Sequence, residues 1–346
     1  MKHPVQISKY FSTKRIIAAV FIGLLVSLYL IFKDFKIEKY EGIHWGYSAT
    51  MYLIIAIILM LIRDIAYMYR LRVLTDNKIR WKHSFQVIML WEFASALTPS
   101  VVGGSAAAFY IVSKECHSVG KSTAIVMVTA LLDEAFYIFM VPLLFIFVSN
   151  DQLFIHGQFN FFGIGELPTQ LIFFFGYGFI LILTTLISLA VFFKPELFKI
   201  LLERVFNLRI LHRWKPKATK TGDEIILTSK EMKGKPILFW IKAFGATFFS
   251  WTARFWVVNF LILAFITGGD QLLIYARQLV MWVILLISPT PGGSGVAEYM
   301  LPKFIGEYMG DFSNEIALLW RLISYYAYLI IGAIVLPIWL RRVYKK

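Results

Sequence analysis

Six stretches of the chain, at about 15–33, 45–62, 122–149, 170–193, 237–267 and 314–339, are apolar over the roughly 20 residues that a helix needs to cross a bilayer. Hydrocarbon offers no water to unpaired amides and carbonyls, so segments of this kind must close their hydrogen bonds internally, as helices. The predicted fold is an all-α polytopic membrane protein, a single transmembrane domain over 1–346. Composition agrees: 59% of residues are hydrophobic, mean hydropathy is +0.69 and 32 residues are Phe, whereas a soluble domain is about 45–50% apolar.

Two further apolar stretches, 84–113 and 271–309, are interrupted. One contains Thr98-Pro99-Ser100-Val101-Val102-Gly103-Gly104-Ser105, the other Ser288-Pro289-Thr290-Pro291-Gly292-Gly293-Ser294-Gly295. Proline removes an amide donor and clashes with the preceding turn, and glycine adds freedom that a helix must lose. Neither stretch is expected to form one continuous helix.

Loop charge sets the orientation. Segment 63–82 carries Arg63, Arg70, Arg72, Lys78, Arg80 and Lys82 against Asp64 and Asp76. Segment 194–236 carries eleven Lys and Arg residues, and the tail ends in Arg341, Arg342, Lys345 and Lys346. Loop 150–169 has only Asp151 and Glu166, and 302–315 is net acidic. The positive-inside rule places the basic segments and both termini in the cytoplasm. Loop charges then close only if 84–113 enters and leaves on the cytoplasmic side and 271–309 does so from outside. The expected architecture is six transmembrane helices plus two re-entrant helical hairpins, with 194–236 as a cytoplasmic basic loop. Eight full spans are the alternative. The two breaks share a Thr-Pro, a Gly-Gly-Ser and following small residues but enter from opposite faces, the pattern of an inverted repeat with a site near the midplane.

The net charge of +14 comes from 35 basic and 21 acidic residues. The basic residues cluster at the ends of apolar runs, as topology and anionic headgroups require, so nucleic acid is not an expected partner. Lys2, Lys9, Lys14 and Arg15 before the first run resemble a signal peptide, but Ile16–Phe32 lacks a small-residue cleavage site and reads as a retained helix. The single Cys116 excludes an internal disulfide, and the six histidines show no i, i+4 pairing. No metal site and no cofactor are expected. Trp45, Tyr47, Trp339 and Tyr344 near span ends read as interfacial belts.

Chemistry is expected where charges fall inside apolar segments, because they are costly there. Glu92, Asp133, Glu134 and Glu298 nearly balance Arg254, Arg277 and Arg321, so mutual pairing in one interior cavity is the simplest resolution. They either hold the bundle together as ion pairs, or the arginines take a lipid phosphate while the carboxylates take a cationic headgroup or a coupling proton. The breaks add half-helix N-termini: Pro99, Gly103, Gly104 and Ser105, and Pro291, Gly292, Gly293, Ser294 and Gly295, are candidate anion-binding residues or simply tight turns.

Pro291-Gly292-Gly293-Ser294-Gly295-Val296-Ala297-Glu298 resembles the PGGxGxxE signature of the lysylphosphatidylglycerol synthase transmembrane-region family, also called the flippase-like domain, which includes UPF0104 proteins. Thr98–Gly104 resembles the family's first P-x-x-x-G-G element. Asp133-Glu134 sits where the family often has a Glu-Arg pair, but Ala135 follows; Ala297 replaces the usual basic residue before the motif glutamate. The resemblance implies movement of aminoacylated phosphatidylglycerol or another lipid between leaflets of a bacterial cytoplasmic membrane. It also implies that a separate enzyme makes the lipid, since no aminoacyl-transfer domain follows Lys346. Two rivals stand beside this flippase reading: an intramembrane enzyme acting on a polyprenyl-phosphate substrate through Glu298, Glu92 or Asp133, and a non-catalytic scaffold of envelope biogenesis.

Overall fold

The computed structural model describes residues 46–98, 100–116, 118–155, 158–160, 166–208, 212, 215–286, 293 and 295–344. The chain is an all-α polytopic membrane protein. Five helical segments among the described residues are long and apolar enough to cross a membrane. They correspond to five of the six expected spans; the first, at 15–33, lies outside the described residues.

Helix α1 (Tyr47–Leu74) runs well past the expected end of its span at residue 62. Ala49, Ala56, Met60, Arg63, Tyr67, Arg70 and Leu74 are buried at helical spacing along one face. This face meets α9 (Ile237–Phe265), the most extensive helix pairing among the described residues. Ala243, Ala246, Ser250 and Ala253 keep α9 slim on its buried side, the small-residue route to close packing when lipid supplies no hydrophobic drive. The Ser250 hydroxyl donates to the Arg63 carbonyl at 3.0 Å. After Leu74 the chain turns through Asp76 and Asn77, at φ 52° and 58°, a left-handed conformation that short polar residues tolerate.

The first broken stretch is α2 (Trp81–Leu97) followed by α3 (Ser100–Cys116), packed against each other. The break has a local cause. Thr98 is extended (φ −109°, ψ 140°), as a residue before proline must be, and its hydroxyl donates to the Ala94 carbonyl at 2.7 Å. The two helices close tightly at Gly104, where a Cβ would come within 2.2 Å of Ser95 Oγ.

Helix α4 (Val119–Phe147) begins at an N-cap, the Ser118 side chain accepting from the Lys121 amide. The short α5 (Asn150–Leu153) follows, then an antiparallel pair of strands, β1 (Gln158–Asn160) and β2 (Glu166–Pro168), with Phe159 opposite Leu167. Helix α6 (Thr169–Ser188) ends in a π turn, Leu189–Phe193. Segment 194–236, expected as a cytoplasmic basic loop reading as a surface helix or linker, holds two packed helices, α7 (Pro195–Phe206) and α8 (Lys215–Lys233). Glu224 of α8 ties this pair to the start of α4, accepting from the Gly120 amide at 2.7 Å and the Ser118 hydroxyl at 2.8 Å.

The second broken stretch is α10 (Gln271–Leu285) and α11 (Val296–Ile305). Asp270 caps α10 by accepting from the Leu272 and Leu273 amides. At 15 and 10 residues, these helices measure roughly 22 and 15 Å, short of a hydrocarbon layer about 30 Å thick. The chain closes with α12 (Ser313–Arg321), a π turn at Leu322–Tyr326 and α13 (Ala327–Tyr344).

The core lies between α1, α4, α9 and α10. Phe136 stacks on Trp251 and Phe255, and Trp282 meets Trp251, Phe255 and Trp320 edge-on. Trp339 does not sit in an interfacial belt as expected. It is 1% exposed and donates to Glu115 at 2.9 Å, because Glu115 and Arg342 form an ion pair beside it. Tyr47 is 86% exposed; Trp45 lies outside the described residues.

Candidate functional site

A central cavity of about 260 Å³ opens where the two breaks approach each other. Thr98 and Ser105 line it from the first break, Gly293 and Ala297 from the second. Glu92 of α2, Asp133 and Glu134 of α4, Arg254 of α9 and Arg321 of α12 line it as well. A smaller pocket of about 70 Å³ shares Tyr67, Trp91, Glu92 and Asp133 and reaches Arg70. Charges as far apart in sequence as Glu92 and Arg321 therefore face one space.

Their pairing differs from the sequence expectation. Glu92 accepts from Arg63 Nη2 at 2.5 Å, and Arg63 also donates to Asp64 at 2.8 Å. Asp133 takes both guanidinium nitrogens of Arg70, at 2.6 and 3.3 Å, and the Trp251 indole N–H at 2.8 Å. Tyr67 lies between the two arginines, each guanidinium 4.5 Å from its ring centroid. Tyr328 completes the group by donating to Asp64 at 2.8 Å. Arg63 and Arg70, 0% and 4% exposed, belong to the helix interior. Loop-charge reasoning assigned both to a cytoplasmic segment. A signal was present: Arg63, Tyr67 and Arg70 recur at spacings of four and three, one face of a helix.

Glu298 has a double role. Its Oε1 accepts from Arg321 Nε at 2.9 Å, and its Oε2 accepts from the Gly295 amide at 2.8 Å. The carboxylate sits at the third position of α11, where it meets the positive end of the helix dipole. The left-handed turn before it uses Gly293 and Gly295, at φ 70° and 80°, where a side chain would be strained. This end of α11 is thus neutralised from within the chain. Gly103, Gly104 and Ser105 lie in the first turns of α3. Pro99, Pro291, Gly292 and Ser294 lie outside the described residues.

Arg277 is elsewhere. It donates to the carbonyls of Gln152 and Phe304 and to Glu307 at 2.8 Å, clasping α10 to α5 and the end of α11, and does not line the cavity.

Two charged residues stand out by lacking an ion-pair partner among the described residues. Arg254 packs its guanidinium 4.4 Å from the Trp282 ring and 5.4 Å from Trp251, and its buried Nε has no hydrogen-bond partner. Glu134, 7% exposed, has a buried Oε2 without a partner. Both line the cavity. Trp91, Trp251, Trp282, Tyr137, Tyr325 and Tyr328 supply its aromatic wall, which sequence reasoning did not single out. No group of three or more potential metal ligands occurs among the described residues.

A family model, "Lysylphosphatidylglycerol synthase TM region", matches residues 15–332 and so takes in every wall of the cavity. The chain belongs to this family. It is 24% identical over 337 residues to a UPF0104 membrane protein of Archaeoglobus fulgidus, a match covering 90% of this chain and 94% of that protein. No solved structure matches. The departure noted at Ala135 has a structural counterpart. The cation on Asp133 comes from Arg70, a residue of another helix that is 63 positions away.

Proposed function

We propose that this family member moves a phospholipid or lipid-linked headgroup between the leaflets of a cytoplasmic membrane, through the central cavity. The observation that carries the reading is Arg254: a cation held by two indole faces, without an anion partner among the described residues, facing a cavity lined from both helix breaks. A half-buried charge within an apolar span is costly unless something compensates it. A lipid phosphate matches the planar guanidinium in charge and hydrogen-bond geometry.

The cavity volume of about 260 Å³ falls just below the roughly 300 Å³ at which drug-sized sites begin. It has room for a headgroup and not for acyl chains, so the tails would stay in the bilayer while the headgroup passes. The closed pairs Arg63–Glu92, Arg70–Asp133 and Arg321–Glu298 hold the walls, and Arg254 and Glu134 are left for the cargo. The topology that suits this task is six spans around two re-entrant hairpins, 84–113 and 271–309, related as an inverted repeat, with both termini cytoplasmic. The partners are anionic phospholipid headgroups and a separate enzyme that makes the lipid.

The test is translocation in liposomes. Purified protein is reconstituted with a panel of headgroup-labelled phospholipids, including aminoacylated phosphatidylglycerol, and leaflet exposure is read by quenching. Transfer by the wild type that Arg254→Gln slows by about ten-fold or more supports the reading. No transfer of any lipid across the panel refutes it.

A further inference from the structure

A second apolar site lies outside the cavity, at the junction of α6 and α7. Phe175, Phe179, Ile182, Leu186, Leu189 and Phe193 are all exposed and recur every three to four residues along α6 and its π turn. The stripe continues onto α7 as Leu197, Ile200, Leu201 and Val205, again exposed. Between the helices, Lys194 (φ −138°, ψ 60°) and Pro195 turn the chain. The opposite side of α7 packs on α8, where Gly222 lies against the Lys199 stem and Lys199 pairs with Asp223 at 2.6 Å.

The corner encloses a groove of about 470 Å³. Leu186, Leu189 and Ala190 line one wall, Leu197, Phe198 and Leu201 the other, and Met127 of α4 the floor. Lys194 is the one charged residue on its lining. Its side chain is exposed and forms no ion pair among the described residues, while the nearby Lys199 is held by Asp223 and Glu203. The π turn shapes the corner. Its wider turn carries Leu189 and Ala190 into the groove wall, a local irregularity of the kind that marks functional sites.

We propose that this corner seats one anionic phospholipid of the surrounding bilayer, with an acyl chain in the groove and the phosphate on the Lys194 ammonium. Two observations choose a lipid over a protein partner. The groove wall is continuous with the apolar face of α6, a candidate membrane span. The segment 194–236 carries eleven Lys and Arg against five Asp and Glu, the charge complement of an anionic leaflet. An amphipathic helix with basic flanks next to a span belongs in the headgroup region. The site shares no lining residue with the central cavity, so it stands apart from the transport reading. It touches α4 through Met127, six residues before Asp133.

The test places a photoreactive benzoylphenylalanine at Phe198 in the full chain, reconstituted in nanodiscs containing equal phosphatidylglycerol and phosphatidylcholine of identical chains. Adducts are counted by mass spectrometry. Phosphatidylglycerol adducts should exceed phosphatidylcholine about five-fold, the effect of one basic residue at a charged surface. Lys194→Gln should remove that preference, Lys194→Arg should keep it, and Ala190→Trp should suppress both adducts by filling the groove. Equal labelling of the two lipids with Lys194 present, or a preference that survives Lys194→Gln, overturns the proposal. Adducts to protein alone, without lipid, overturn it in favour of a docking partner.

Discussion

Arg254 and Arg321 line the same cavity, and substituting each by glutamine should have opposite consequences. Arg321 is 3% exposed and bonds Glu298, itself 1% exposed, at 2.9 Å. Removing its charge leaves a buried carboxylate held, among the described residues, by the Gly295 amide alone, and breaking a buried pair in this way costs about 3–5 kcal/mol. Replacing Arg254 breaks no ion pair among the described residues. It loses its contacts with two indoles, worth about 0.5–2 kcal/mol. If Arg254 meets the lipid phosphate, its loss removes charge-assisted hydrogen bonds of about 1.5–3 kcal/mol, a roughly ten- to hundred-fold slower transfer. Unfolding of the purified protein in mixed micelles with increasing dodecyl sulfate measures the first effect, and liposome translocation the second. Arg321→Gln should therefore be the unstable variant, and Arg254→Gln the stable but slow one. Equal destabilisation by both would make Arg254 a structural residue. Undiminished transfer by Arg254→Gln would remove the phosphate site.

Three further outcomes are expected. Cys116 is the last residue of α3, and the hairpin topology keeps it cytoplasmic whereas eight full spans place it outside; a membrane-impermeant maleimide should label it in inverted vesicles and not in intact cells. Burial pushes the Cys116 thiol up, so labelling should quicken towards alkaline pH as the thiolate forms. Gly332→Ala should destabilise the protein by about 1–3 kcal/mol in micelle unfolding, because its Cβ would lie 2.3 Å from Phe93, which is 0% exposed. Glu224→Ala should cost about 0.5–2 kcal/mol by uncapping α4, and amide exchange at Gly120, whose N–H it holds at 2.7 Å, should rise ahead of the rest of the helix.

The sequence by itself determined the solvent and the class of fold. Apolar runs of spanning length admit only helices, and Thr98-Pro99 and the Gly-rich segment near 293 had to interrupt them, because proline and glycine act through local backbone sterics. The candidate charges were legible too, since an ionisable residue in an apolar run is conspicuous wherever the run ends up. Their partners were not. Arg63 and Arg70 sit among other basic residues at the end of a span, and charge counting cannot tell a helix interior from the loop that follows it. Only the packing of α1 against α2, α4 and α9 revealed that these two arginines neutralise Glu92 and Asp133, and only the packing of α10 on α5 and the end of α11 that Arg277 belongs to a clasp there. Ion pairing depends on which helix faces meet, a long-range property that no local spacing encodes. Tertiary structure therefore decided which charges are closed on one another and which, among the described residues, are left facing the cavity: Arg254 and Glu134.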